Sequence, residues 1–319
     1  MKTGVIILAA GDGKRMKSAR PKVMCEVLEK PMIGWVIDSL FEADFTAENI
    51  GVVVGNGAEI VENYLTARGI SRTFLQSERK GTGHAVMQAE EMLDLCENVL
   101  ILYGDAPFMD GETIKKSLNA HVERGSLVTV VTAEIENPTG YGRIIRGEKG
   151  ELLGITEQKD CTEAEKSIKE INSGVYWFNS SALKNALPKL QTANAAGEYY
   201  LTDTIGIIRN GGGKTSAFCA ENGDIVLGAN SRKDLLNLNT IARMRIIGRH
   251  LDNGVEFVST DGIIIGKDVK IGQDTKILPN TILRGNTVIG ENCVIGPNSL
   301  IENTAVSYTH LTLPTMAVV

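Results

Sequence analysis

The chemistry this chain could do is concentrated first in Gly11-Asp12-Gly13, with Arg15 two residues after it and Lys22 behind Pro21. Successive backbone N–H groups in a glycine turn form a concavity that suits an anion, and the missing side chains let a bulky group approach the main chain. Arg15 and Lys22 would complete a phosphate cradle. The same string also reads as an ordinary tight turn. It is not a Walker A loop, because no G-x-x-x-x-G-K-[ST] is present, and Met16 stands where a dinucleotide fingerprint needs its third glycine. Asp105 is the second candidate: it follows Gly104 after an apolar run, where a carboxylate can reach a metal ion or simply cap a strand. One carboxylate plus substrate phosphates is how Mg²⁺ is usually held. Gln76 is the third. Its amide offers a donor and an acceptor, the complement of an imide edge such as that of uracil, and Gly81-Thr82-Gly83 would let a base or ribose reach the main chain. Both stretches also read as solvated or turn-forming residues.

The elements that must carry these residues alternate. Val5–Ala10, Ile50–Val54, Val99–Tyr103 and Leu127–Ala133 are short apolar runs with the length of buried strands. Between them, Pro31–Ala43, Ala58–Leu65 and Gly81 onward (Val86, Ala89 and Leu93 on one face) have helical spacing. So does Gly111–Arg124, with Ile114, Leu118 and Val122 on one stripe. Such alternation predicts a mostly parallel, Rossmann-like α/β sheet covered on both faces, with ligands beyond the carboxyl ends of the strands. The glycine turn and Asp105 both fall at such ends.

A longer helical pattern, Leu235–Leu251, predicts a connector over 233–254 that follows a first domain of residues 1–232. Beyond it Ile265, Ile271, Ile277, Leu283, Ile289, Ile295 and Ile301 recur every six residues, and Gly266, Gly272, Gly290 and Gly296 directly follow four of them. That period predicts the start of a parallel β-helix over 255–306. Ser307 falls where the next inward residue is due, so 307–319 reads as a foreign or frame-shifted tail in which nothing would hold His310 in place, with an atypical terminal repeat as the alternative reading.

With 43% hydrophobic and 23% charged residues, the 319-residue chain has the composition of a globular protein with a substantial core. A net charge of -6 argues against a general nucleic-acid surface, and no segment approaches membrane-spanning length. The five cysteines lack C-x-x-C spacing and read as reduced, mostly buried thiols of a cytoplasmic protein.

The string Leu8-Ala9-Ala10-Gly11-x-Gly13-x-Arg15-Met16 with Pro21-Lys22-Val23 closely resembles the signature of the sugar-1-phosphate nucleotidyltransferases. Joined to a hexapeptide repeat, it resembles the bifunctional N-acetylglucosamine-1-phosphate uridyltransferase / glucosamine-1-phosphate acetyltransferases over residues 1 to about 306, with the repeat domain cut short. The resemblance implies Arg15 and Lys22 as catalytic cations, and Leu8, Ala9, Ala10, Gly11, Gln76, Gly81 and Thr82 against UTP. It implies Asp105 and Asn230 as Mg²⁺ ligands. It implies Tyr103, Gly140, Glu157, Asn172 and Asn230 around N-acetylglucosamine-1-phosphate, a homotrimer, and a left-handed coil. Lys14 departs from the threonine common in that loop and adds a positive charge. Uridyl transfer is expected, and acetyl transfer is not, since the family's acetyl site lies in later coils. Another sugar nucleotidyltransferase and a non-catalytic regulatory subunit are the competing readings.

Overall fold

The protein is described by a computed structural model over residues 2–307, 310–311 and 316–318. It divides into two compact units, residues 1–24 with 32–230 and residues 25–31 with 231–319.

The first unit is built on a nine-stranded sheet. Its strands are β1 (Thr3–Leu8), β2 (Ile50–Val54), β3 (Arg72–Leu75), β4 (Asn98–Tyr103), β5 (Val128–Glu134), β6 (Arg143–Arg146), β7 (Leu152–Thr156), β8 (Glu170–Asn179) and β9 (Thr215–Cys219). The order is β9-β5-β8-β4-β1-β2-β3, and the β6–β7 hairpin hangs from the start of β8. β4, β1, β2 and β3 are parallel, whereas β8 runs antiparallel between β4 and β5. The strands are apolar on both faces because both are covered. Val5 and Ile7 enter one core with Ile33, Val36, Ile37 and Leu40 of α1 (Met32–Glu42), together with Val61 and Leu65 of α2 (Ala58–Ala67). Ile6 and Leu8 enter the other core with Ala85 and Val86 of α3 (Thr82–Gln88) and Met92 and Leu93 of α4 (Glu90–Leu95). The chain moves from β1 to β2 and β3 on one side, then crosses to β4 on the other. The switch point, where open α/β sheets bind ligands, therefore lies between the carboxyl ends of β1 and β4.

Three sequence expectations are corrected here. The helix opening at Gly81 is interrupted at Ala89, which leaves helical geometry at φ -103, ψ 27. In α5 (Gly111–Glu123) the buried stripe is Ile114, Ser117 and His121, while Val122 is 43% exposed. The polar residues are inside because they have partners there. Trp177 Nε1 donates to Ser117 Oγ at 2.9 Å, and the His121 ring lies between Thr129 Oγ1 (2.9 Å) and Asn98 Oδ1 (3.1 Å). The cysteines are free, but only Cys25 and Cys293 are buried, and Cys219 is exposed. The first unit also holds α6 (Ser180–Ala186) and α7 (Asp203–Asn210), both packed on the second core.

In the second unit, α8 (Arg232–Asp252) opens on a capping box: Ser231 Oγ accepts from Asp234 N at 3.2 Å and Asp234 Oδ2 from Ser231 N at 2.9 Å. Short strands then stack in parallel on three faces, Ile264 beside Ile282, Lys270 beside Val288, and Lys276 beside Val294. All seven six-residue positions from Ile265 to Ile301 are buried. Asp274, Asn280, Asn292 and Asn298 turn corners in the left-handed conformation that these side chains tolerate. The expected break at Ser307 is not where the register ends. Val306 pairs with Ile289 in its place, and residues 310–311 and 316–318 pair with Val294–Ile295 and Leu300–Glu302. Val306 stands 17 residues beyond its partner Ile289 and Leu311 stands 16 beyond Ile295, against the 18 between Ile277 and Ile295. The remaining tail positions lie outside the described residues. Among the described residues no helix is long and apolar enough to cross a membrane.

Candidate active site

The glycine turn at the end of β1 is shaped by Lys22. Gly13 sits at φ +57, and a Cβ there would lie 2.8 Å from the Lys22 Cβ, so the turn closes directly on the lysine stem. Across the switch point Gly104 N donates to Leu8 O at 3.0 Å, which places Asp105 beside the turn. A third segment arrives from far along the chain. A Cβ on Gly228 would lie 3.0 Å from Asp105 O, so Gly228-Ala229-Asn230 runs against the end of β4. These approaches converge on the Lys22 ammonium. It ion-pairs with Asp105, with which it is mostly buried, and donates to Asn230 Oδ1 at 3.0 Å.

That seat tests whether the site suits a metal ion. A positive group is already held between one carboxylate oxygen and one amide oxygen, so the two residues can present hard donors to a single cation. Among the described residues no group of three or more His, Cys, Asp or Glu side chains could form a metal cage. Two protein oxygens with the remaining positions left to water and phosphate fit Mg²⁺.

The side of the site around Gln76 is organised by β3 and α3. Gln76 N donates to Val54 O at 2.8 Å, and Ala9 N to Val53 O at 2.8 Å, so β2 holds Gln76 and the glycine turn in one frame. The Gln76 side chain is buried; its Nε2 donates to Gly81 O and reaches His84 Nδ1, both at 3.1 Å. His84, unassigned from sequence, therefore orients the amide. Gly81 has φ +109, and a Cβ there would sit 2.5 Å from Tyr199 O. Gly83 N donates to that carbonyl at 2.8 Å, and Thr82 Oγ1 accepts from Leu201 N at 3.0 Å. The side chains of Leu8, Ala9 and Ala10 are buried in the two cores, leaving only backbone to face a ligand. Arg15 is exposed in the turn Lys14–Met16.

On the other side the structure joins residues that lie far apart in sequence. Asn172 Nδ2 donates to Tyr176 Oη at 2.6 Å and its Oδ1 accepts from Gly174 N at 3.0 Å, while the Tyr103 ring packs on Gly174 so closely that it leaves no room for a Cβ there. Asn172 and Tyr103 thus meet at Gly174, which lies between them. Burial raises the Tyr103 phenol well above its ordinary range, and Glu157 and Asp105 add to the shift, so it stays neutral. Glu157 accepts from Thr202 Oγ1 at 3.3 Å. Burial raises its carboxyl above the usual range, and Asp160 and Asp203 push the same way. Gly140, at φ +93, donates its N–H to Gln158 Oε1 at 2.8 Å and is exposed. The buried Arg143 donates to the same oxygen at 2.9 Å, fixing that loop from beneath.

Sequence reasoning missed Arg79 and Tyr176. Arg79 ion-pairs with Asp12 and donates from Nε to Ala10 O at 3.2 Å. In Glu78-Arg79-Lys80 it looks like any exposed charge run.

Residues 4–223 match the family model described as Nucleotidyl transferase, and residues 268–303 match Bacterial transferase hexapeptide (six repeats). The chain is 47% identical over 270 residues to the bifunctional protein GlmU of Alkaliphilus metalliredigens, covering 85% of this chain and 58% of that one. It is 47% identical over 265 residues to that of Caldanaerobacter subterraneus (83% and 57%). It is 43% identical over 266 residues to that of Streptococcus gordonii (83% and 57%). It therefore spans less than two thirds of the length of these relatives. A solved structure from Bacillus anthracis, provisionally named a glucose-1-phosphate thymidylyltransferase, shares the fold with a TM-score of 0.62 at 19% identity, over 76% of this chain and 95% of that one.

Proposed function

The chain belongs to the nucleotidyl transferase family, and we propose that it transfers UMP from UTP to N-acetyl-α-D-glucosamine-1-phosphate, releasing pyrophosphate and UDP-N-acetylglucosamine for cell-wall synthesis. The observation that carries this reading is the seat shared by Lys22, Asp105 and Asn230 at the switch point, beside a glycine turn able to cradle phosphate. The similarity to GlmU proteins supports the choice of sugar and nucleotide, as do Gln76, Glu157 and Asn172 at the positions described.

In this reading an oxygen of the sugar phosphate attacks the α-phosphorus of UTP in line. The bond from that phosphorus to the pyrophosphate oxygen breaks, and pyrophosphate leaves with the electron pair. The nucleophile is already an anion, so no general base is required, and catalysis consists of positioning and charge neutralisation. Lys22 and Arg15 offset charge on the reacting phosphates. Asp105 and Asn230 would hold Mg²⁺, which when bound neutralises the phosphates and aligns them. The Gln76 amide reads the imide edge of the base, and Glu157 accepts from the sugar with Asn172 beside it. A site that pairs the acetamide penalises sugars lacking it, because its polar groups are then left unpaired. The coil of the second unit would join three chains, which light scattering on the intact chain tests.

The decisive experiment is pyrophosphate release with UTP, Mg²⁺ and a panel of sugar-1-phosphates. N-acetylglucosamine-1-phosphate should be the preferred acceptor. Preference for glucose-1-phosphate, or for a purine triphosphate, would replace this reading with that of another sugar nucleotidyltransferase. No release with any pair would leave the non-catalytic subunit.

A further inference from the structure

The phosphate turn carries an acidic residue at its centre. Asp12 lies between Gly11 and Gly13, where a carboxylate opposes the binding of a triphosphate. Two cations answer it. Lys14 Nζ approaches at 3.5 Å, but its side chain is 86% exposed and water screens it. Arg79 ion-pairs with Asp12 from a far more sheltered position and is anchored a second time through Nε to Ala10 O at 3.2 Å.

We propose that Arg79 is a positioning residue for the triphosphate, cancelling the Asp12 charge and locking the phosphate turn to the base-reading segment; this rests on the nucleotidyl-transfer reading above. The second contact matters as much as the first. The Ala10 carbonyl and the Gly11 N–H belong to one planar peptide, so fixing one fixes the direction of the other. That peptide is held from two sides. Arg79 binds its oxygen, and the chain at Gly55 passes so close that a Cβ there would lie 2.7 Å from the same atom. With the carbonyl engaged, the Gly11 N–H points the opposite way, as an anion-binding amide must. Arg79 also lies between Gln76 and Gly81, so one short segment reads the base at one end and sets the phosphate turn from its middle.

The test compares wild type, Arg79→Gln, Arg79→Lys, Asp12→Asn and the Arg79→Gln/Asp12→Asn double variant. UTP affinity is measured by calorimetry and steady-state kinetics, with a melting curve for each. Arg79→Gln should raise KM and Kd for UTP about tenfold and change kcat less than about threefold, since the lost interaction serves bound UTP and transition state alike. Arg79→Lys keeps the charge but loses the fixed Nε geometry, and should fall between the two. Adding Asp12→Asn to Arg79→Gln should return KM to within about threefold of wild type, because it removes the uncompensated charge. A simple packing role would show no such rescue. Unchanged KM in Arg79→Gln, or a double variant no better than the single, overturns the inference. Wild-type binding separates the two ideas. If another triphosphate binds and UTP does not, the uridyl reading fails and the variants are scored with that triphosphate. If no triphosphate binds, both fail.

Discussion

Asp105→Asn should separate catalysis from stability by a wide margin. The amide is isosteric, and the Asp105 backbone is held by β4 and by the close pass of Gly228, so the site keeps its shape. The folded state loses one charge-assisted contact to the Lys22 ammonium, while the 3.0 Å bond to Asn230 Oδ1 persists. A hydrogen bond to a charged group contributes about 1.5–3 kcal/mol, and the amide oxygen replaces part of it, so a loss of about 1–2 kcal/mol is expected. In a unit of this size that lowers the melting temperature by roughly 2–8 °C. Turnover should fall much further. The variant removes the proposed anionic metal ligand and leaves Lys22 without its partner, and loss of comparable electrostatic stabilisation costs about a thousandfold, or about 4 kcal/mol. The assay is pyrophosphate release with UTP and N-acetylglucosamine-1-phosphate across a Mg²⁺ titration, alongside thermal melts. A variant within about threefold of wild type at low millimolar Mg²⁺ would refute the metal-ligand role. A melting temperature that collapses along with activity would refute the claim that Asp105 serves chemistry more than folding.

Three further outcomes are expected. Gln76→Ala should erode the preference for UTP over CTP by about tenfold, measured as the ratio of kcat/KM, while dTTP, with the same imide edge, tracks UTP throughout. Gly81→Ala places a methyl group against the Tyr199 carbonyl at a backbone conformation alanine resists, and should cost about 2–4 kcal/mol by denaturant titration; an unchanged midpoint would contradict the packing described. His121 should contribute to acid sensitivity. Burial lowers its pKa from 6.5 to about 4, so between those values the unfolded chain binds a proton that the folded chain excludes. The stability it confers is present above pH 6.5 and is lost as pH falls toward 4. His121→Gln should melt with a shallower dependence on pH over that window, and an unaltered slope would assign the acid sensitivity elsewhere.

What could be read from the sequence follows from the range over which each feature is encoded. Four strands of the sheet, β1, β2, β4 and β5, were legible because burial on both faces writes itself as a continuous apolar run, as in Val5-Ile6-Ile7-Leu8; β3 and β6–β9, whose runs are mixed or interrupted, were not read. The coil was legible because one side chain in six must point inward. The α5 stripe was misread because apolarity was taken as the mark of the inside, whereas Ser117 and His121 are buried through partners on β4, β5 and β8 that no local pattern announces. The register past Val306 was missed for a related reason: two successive steps of five residues, Ile301 to Val306 and Val306 to Leu311, break a sequence period without breaking the ladder.

The site divides along the same line. Gly11-Asp12-Gly13, Asp105 and Gln76 stand out because strand ends, glycines and polar residues coincide locally. Their relations do not stand out, because Lys22 meets Asn230 across 208 positions and Thr82 meets Leu201 across 119. Arg79 shows the consequence most plainly. Its neighbours suggest a solvated charge, and its meaning depends on an aspartate that itself looks out of place in a turn proposed to hold phosphate. Each residue explains the other only once β1, β2 and β3 lie side by side with their carboxyl ends together. An acidic residue in an anion site is thus a pointer to a partner elsewhere in the chain, and the charge balance of the turn belongs to the pair.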